Sequence, residues 1–333
     1  MARLLIPVRR ISLQFNRLLE YSYYEFWKIL AFVFFGFPFL GEFLSRRWFW
    51  KEEGAIILVY HELGASAFRR HLEYTKNHWK VVSLDDLLTQ MKQGKPLTRA
   101  IIFTFDDGYK SNYTEIFPLL LKHQTPITLY LVSGMIDADG EFWWQSLENL
   151  RRTAGKKEAI PTPEHLKSLP EEQRKREISN LLGRYSYRNK ERSTLTLSEA
   201  KEMVDSGLVT IGAHTRNHPC LTKVGLEEAE DEMKTSKKDL ESAFGVPVVH
   251  FSYPNGDYIN AHVSLCEKSG YSTAVTAVPG VNTPATNPYE LRRILIRPDD
   301  TVQVLALKIT GLGHRLGLDY FTLKHLRQRG VPC

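Results

Sequence analysis

Residues 100–108 read Ala-Ile-Ile-Phe-Thr-Phe-Asp-Asp-Gly: a β-branched and aromatic run that breaks into two adjacent carboxylates and a glycine. A short apolar run bounded by turn chemistry is a buried strand, so Asp106 and Asp107 sit at a strand's carboxyl end. The same construction recurs along the chain. Ile56–Tyr60 meets His61 and Glu62; Val209–Ala213 meets His214, with His218 four residues on; Val248–Tyr253 meets Pro254, Asn255 and Gly256. Parallel barrels place their chemistry at strand carboxyl ends. Four apolar strands running into polar, reactive residues therefore point to one site.

Further strands are predicted at Val81–Ser83, Ile127–Val132, Ser272–Thr276 and Arg293–Ile296, with helical periodicity over Tyr113–His123, Leu197–Ser206 and Leu226–Phe244. Apolar strands alternating with helices indicate a mainly parallel α/β fold. Seven or eight strands over this length predict a (β/α) barrel across residues 52–300. Glu148–Arg192 breaks the alternation with charge-dense, strand-poor sequence carrying Pro161, Pro163 and Pro170, which predicts a helical insertion at 148–192. Residues 301–333 are expected to form a C-terminal helical tail.

The chain has 333 residues, 43% hydrophobic and 25% charged, which excludes wholesale disorder and a polytopic membrane protein. Cys220, Cys266 and Cys333 are far apart, which excludes a disulfide framework and a cysteine zinc site. Residues 1–51 differ from the rest: arginines and an aromatic-rich stretch flank the uncharged run Ile29–Gly41. That run is shorter than the ~20 residues a spanning helix needs, and Pro38 interrupts it. The pattern suits an interfacial membrane anchor; the alternative is a helix packed on the domain's own core.

Two ionised carboxylates as close as Asp106 and Asp107 raise one another's pKa unless a cation intervenes. One division of labour is a metal ligand beside a general base; the other reading is a solvated Asp-Asp-Gly turn. His214 and His218 form an H-x-x-x-H pair that Pro219 and the preceding strand place on a strand-to-loop hook. Neutral imidazoles with one carboxylate make a three-ligand site with open positions.

FTFDDGY (103–109), GAHTRNHPCL (212–221) and FSYPNGDY (251–258) resemble the polysaccharide deacetylases of carbohydrate esterase family four, which share the homology domain of nodulation chitooligosaccharide deacetylases. The resemblance spans about residues 55–297. It implies a distorted (β/α) barrel binding one divalent metal, usually zinc and sometimes cobalt or nickel. Asp107, His214 and His218 match the ligand positions, and Asp106 matches the general base. Asn255 falls where the family's oxyanion-binding N–H lies, and Tyr253 and Tyr109, from the same motifs, are assigned with it to the substrate side. The chain departs from the common pattern in lacking an arginine in the third motif and a histidine after the last strand. The subgroup similar to biofilm poly-N-acetylglucosamine deacetylases carries that acid histidine on the first strand and takes its arginine from the last. His61 and Arg293 match, with Arg292 the lesser candidate. First and last strands are neighbours in a closed barrel, so the exchange preserves the geometry.

The implied activity is removal of acetyl groups from N-acetylated amino sugars of a polysaccharide or lipid-linked glycan. An amidase or deformylase acting on a small or lipid-linked substrate is the nearest alternative. An inactive glycan-binding barrel is disfavoured by the intact base and ligand set. Trp143 and Trp144 read either as a sugar platform or as core, and His250 reads as a core histidine. No nucleic-acid recognition motif accompanies the net charge of +6. Residues 1–51 carry 8 Lys+Arg against 3 Asp+Glu, residues 148–192 carry 12 against 7, and the remainder holds 24 against 28, a net −4. The basic character belongs to the two appendages, as expected for an enzyme held at an anionic membrane of a bacterial-type cell envelope, on either face.

Overall fold

Along each apolar run, alternate residues face opposite ways, and the chain uses both faces. The computed structural model describes residues 54–154, 160–188 and 191–310, with positions 25, 26, 28, 29 and 32 of the N-terminal segment. Its strands are β1 (Ala55–Tyr60), β2 (Lys80–Val81), β3 (Ala100–Phe105), β4 (Ile127–Leu131), β5 (Val209–Ala213), β6 (His250–Ser252), β7 (Thr273–Val275) and β8 (Arg293–Leu295). They form one parallel sheet in the order β7-β6-β5-β4-β3-β1-β8, with β2 on the edge of β3 beside β4. A parallel bridge between Val275 and Leu291 brings β7 against the residues leading into β8. Leu291 N–H donates to Ala274 O (2.9 Å) and Thr276 N–H to Leu291 O (2.8 Å), which closes the ring. The expected barrel is therefore present, and its first and last strands are neighbours, with Ile57 in register with Arg293.

Outward positions Ile56, Leu58, Tyr60, Ile101, Phe103, Phe105, Leu129 and Phe251 form the main apolar layer beneath the surrounding helices. Inward positions Ile57, Ala100, Ile102, Tyr130 and Val275 fill the lower interior. Further up, the inward set turns polar, with Thr104, Ser252 and Arg293 all buried. The helices follow local signals: capping boxes at Ser83–Asp86 and Thr196–Glu199 start helices Leu84–Lys92 and Leu197–Asp205. Gly245, at φ 69°, ends helix Leu226–Phe244.

The strands and helices expected from sequence appear with ends shifted by at most two residues, except at two places. Tyr113–His123 is split into a π turn, Asn112–Ile116, and a helix, Phe117–His123. Pro118 has no N–H to give to the turn before it, so the regular ladder fails there. The insertion's helices begin at Trp143, before residue 148: Trp143–Thr153, Pro163–Lys167 and Glu171–Arg184. They share a separate apolar cluster of Leu147, Leu150, Ile160, Leu166 and Leu181, and Leu147 belongs to it although it precedes the charge-dense stretch. Of the 301–333 tail, helix Val302–Ile309 is described and residues 311–333 lie outside the described residues, as does nearly all of 1–51. No helix among the described residues is long and apolar enough to cross a membrane.

His262 gives the fold an acid limit. It is buried, its Nδ1 accepts from Ile259 N–H (3.2 Å), and burial pushes its pKa down to about 4. The unfolded chain, with an ordinary value near ~6.5, takes up the proton first. Stability is thus full above about pH 6.5 and declines as pH falls toward 4, by on the order of 1 kcal/mol per pH unit. Urea titrations of wild type and His262→Gln between pH 7 and 4 check this; a variant with an equally steep acid limb would disprove it.

Candidate active site

The sheet's pleat brings Asp106, His214, Ser252 and Arg293 into the barrel, and the strand-end loops bring Asp107 and His218 above them. Asp106 continues the ladder of β3 by donating its N–H to Tyr60 O (2.9 Å). The chain then turns through Asp107 (φ 75°) and Gly108 (φ 85°), where a Cβ on the glycine would meet Leu131 Cδ2 at 2.6 Å. Thr215 (φ 63°), His218 (φ 55°) and Asn255 (φ 58°) are also left-handed non-glycine residues. Such residues cost on the order of 1–3 kcal/mol each and gather where a site needs them. The 214–218 loop is held in this shape by the carboxylate of buried Glu232. It accepts from Arg216 N–H (2.8 Å), Asn217 N–H (2.9 Å) and the Asn217 amide (2.7 Å). Thr215 Oγ1 accepts the N–H of His218 (3.0 Å).

Arg293 grips Asp106 with two parallel contacts of 2.7 Å. The same guanidinium donates to Thr276 O (2.9 Å) and Ser252 Oγ (3.0 Å) and lies over the Tyr130 ring at 5.7 Å. Gly212, in register with Tyr130, leaves the room: a Cβ there would overlap that ring. Ser252 Oγ–H donates to Asp106 (3.2 Å). Burial alone would raise the Asp106 carboxyl. The Arg293 charge outweighs burial and holds Asp106 down at about 2.

Asp107 has no such partner. Burial pushes it up to about 6, with Asp106 adding to the push, against the pull of His61. Burial lowers the pKa of both His214 and His218, which keeps the imidazoles neutral. Nε2 of His214 and Nε2 of His218 each stand 3.5 Å from Asp107 Oδ1, and that buried oxygen has no hydrogen-bond partner. His214 Nδ1 lies 2.7 Å from Ser252 O. Only an N–H fits there, so the Nε2 lone pair is directed at Asp107. Metal ligands ~2.0–2.1 Å from one tetrahedral ion stand roughly 3.3 Å apart. The orphaned oxygen, the neutral imidazoles and these spacings fit a divalent cation.

Of the other expected residues, His61 directly follows β1 and is half-buried. Asn255 occupies the left-handed turn Pro254–Gly256 beside Cys220, with Nδ2 3.6 Å from the sulfur. Tyr109 lies two residues beyond Asp107: its hydroxyl accepts from Trp144 Nε1 (2.8 Å) and works against the upward push on the Asp107 carboxyl. Tyr253 lies elsewhere. Its neighbour Ser252 faces inward, so its own ring points outward into the apolar layer, stacked on Tyr258, with its hydroxyl on Tyr289 O (3.1 Å). Trp144 is packed in place, stacked on Phe142 at 4.5 Å, and does not form an open platform. His250 is a core histidine between Thr273 (2.7 Å) and Asp85 (3.1 Å). Sequence reasoning missed Ser252 and Glu232. Glu232 was detectable as an acid on the stripe Ala229, Met233, Ser236 and Leu240, the buried face of its helix. Arg292, with its guanidinium against Gly280, takes no part in the Asp106 pair.

Arg293→Met leaves the Asp106 carboxylate buried without its cation. Expected is a loss of about 3–5 kcal/mol in urea unfolding at neutral pH. A loss below about 1 kcal/mol would mean that the pair behaves as a solvated surface bridge.

Residues 93–274 match the sequence model described as polysaccharide deacetylase. YxkH of Bacillus subtilis (strain 168) is 25% identical over 256 residues, covering 73% of this chain and 71% of that protein. A Staphylococcus aureus (strain MSSA476) protein named poly-beta-1,6-N-acetyl-D-glucosamine N-deacetylase is 21% identical over 248 residues, 72% of this chain and 69% of its own. Among solved structures, IcaB from Ammonifex degensii shares the fold at a TM-score of 0.58 and 19% identity, covering 78% of this chain and 98% of that one. With more than half its length matched by the family's model, the chain belongs to the polysaccharide deacetylase family.

Proposed function

We propose that the protein is a metal-dependent hydrolase that removes acetyl groups from the N-acetylated amino sugars of a polysaccharide. The observation that carries this reading is Asp107 Oδ1, buried, without a hydrogen-bond partner and facing two neutral imidazoles, next to a carboxylate that Arg293 keeps ionised. The amino-sugar polymer is supported by the name of the Staphylococcus aureus relative.

Asp107, His214 and His218 would hold the cation, most simply zinc. When bound, it would polarise the acetyl carbonyl and acidify a water molecule. Asp106 takes the proton of the attacking water; held near 2, it is ionised throughout the neutral range and always able to accept. Arg293 fixes both oxygens of that base. Backbone N–H at Asn255 lies in the turn assigned to the developing oxyanion. His61, at the carboxyl end of β1, gives its proton to the departing nitrogen as the C–N bond breaks. The products are acetate and the free amine.

The N-terminal segment is assigned to the surface of an anionic membrane in a bacterial-type cell envelope. Phe26, Ile29 and Phe32 are 56%, 65% and 64% exposed at helical spacing, while Lys28 reaches Asp299 (3.1 Å) on the barrel. An exposed apolar stripe within a basic segment suits the lipid interface.

Chelation is expected to abolish acetate release from N-acetylglucosamine oligomers, with zinc or cobalt restoring it; activity surviving complete metal removal would disprove metal dependence. Asp106→Asn should keep the metal while losing turnover by about 10²–10⁴-fold. Loss of metal together with turnover would show that the two aspartates exchange roles. For the membrane, full-length protein should co-sediment with phosphatidylglycerol vesicles, and Phe26→Ser/Ile29→Ser/Phe32→Ser should stay in the supernatant. Equal recovery of both in the pellet would overturn that assignment.

A further inference from the structure

From the insertion between β4 and β5, Trp144 reaches the loops of the candidate metal ligands. Its indole N–H donates to Tyr109 Oη (2.8 Å), and the Tyr109 hydroxyl acts on the Asp107 carboxylate, drawing its pKa down against burial. Asp107 Oδ1 itself has no hydrogen-bond partner and faces the imidazoles. The same indole packs on His218, ring centres 4.7 Å apart and tilted by 52°, and stacks on Phe142 at 4.5 Å, which fixes its plane. Asp107 and His218 come from loops more than a hundred residues apart; Trp144 reaches the first through Tyr109 and packs directly on the second.

The chain on either side of the insertion clamps the same turn. Tyr109 forms an antiparallel bridge with Thr194; Leu195 N–H donates to Gly108 O (3.0 Å), and Lys110 N–H to Ser193 O (2.7 Å). Ser193 closes the base of the insertion through Gly140 O (3.2 Å) and Gln145 Oε1 (2.8 Å). Metal ligands are oriented by the groups behind them, and removing such a group typically weakens metal binding by ~10–100-fold.

We infer that Trp144 is a positioning residue for the divalent cation. It sets the Asp107 carboxylate through Tyr109 and the His218 ring by direct packing, so the insertion tunes metal affinity. The inference rests on the metal-site reading above, but metal binding can be followed without substrate.

The test is cobalt binding to the chelator-stripped full chain, read by competition with a chromophoric chelator and by the visible spectrum of the bound cobalt. Trp144→Phe keeps an aromatic ring and removes the N–H; affinity should fall by about 10-fold. Tyr109→Phe should lose at least as much. In the double variant the two losses should not multiply, because the indole N–H acts through Tyr109. Trp144→Ala should bind more weakly still and shift the cobalt spectrum as His218 loses its neighbour. Wild-type affinity in Trp144→Phe, or losses that multiply in the double variant, would overturn the inference. Should Trp144→Phe fail to fold, Tyr109→Phe decides alone, with unchanged affinity overturning it. Cobalt binding with this pattern in a wild type that releases no acetate would sink the deacetylase reading and leave this inference standing.

Discussion

The guanidinium of Arg293 and the carboxylate of Asp106 hold each other in the barrel interior, where neither has bulk water to turn to. A buried charge without a partner costs several kcal/mol, so whatever keeps these two together is a condition on the whole fold. Arg293 is in register with Ile57, and Ile57 with Ile102, four residues below Asp106 on β3. The side chain therefore climbs the interior past Thr104, which it meets at 3.3 Å, before reaching its partner. That path exists only because β8 lies against β1.

The pair also explains how adjacent carboxylates acquire opposite chemistry. Asp106 and Asp107 share a turn and are both buried, so desolvation pushes both upward. Asp106 has a cation supplied by the protein and ends near 2; Asp107 has none and ends near 6. Neighbouring titratable groups whose values are driven apart are the usual sign of divided roles. The imidazoles facing Asp107 are held neutral by the same burial. The site thus lacks one positive charge at the point where three ligand atoms converge within 4.8 Å of one another.

Much of this was legible in the sequence. Short apolar runs bounded by turn residues identified every strand, and their carboxyl ends put Asp106 and His214 at one site. The family resemblance pointed to the first and last strands for His61 and Arg293, and barrel closure makes those strands neighbours, with Ile57 in register with Arg293. Tyr253 shares the third motif with Asn255, but its neighbour Ser252 occupies the inward position, so its ring faces the outer apolar layer. Composition located the insertion by its charge but not its start, since Trp143 and Leu147 are apolar and contribute to its packing. Glu232 and Trp144 act across contacts far apart in sequence, and no local pattern reports the loop that an acid or an indole will meet.

The left-handed residues give the last link between fold and chemistry. Asp107, Thr215 and His218 adopt backbone angles that ordinary residues avoid, and all three lie in the loops that carry the ligand atoms. A loop free to relax would leave those angles, so surrounding bonds must hold it. Glu232 and Thr215 Oγ1 do so on the histidine side, and Gly108, Thr194 and Leu195 on the aspartate side. The ligand atoms are therefore gathered by the protein itself, in advance of any cation. A cation bound there would have little backbone ordering to offset, because the barrel and its loops already set the spacing of the three ligand atoms.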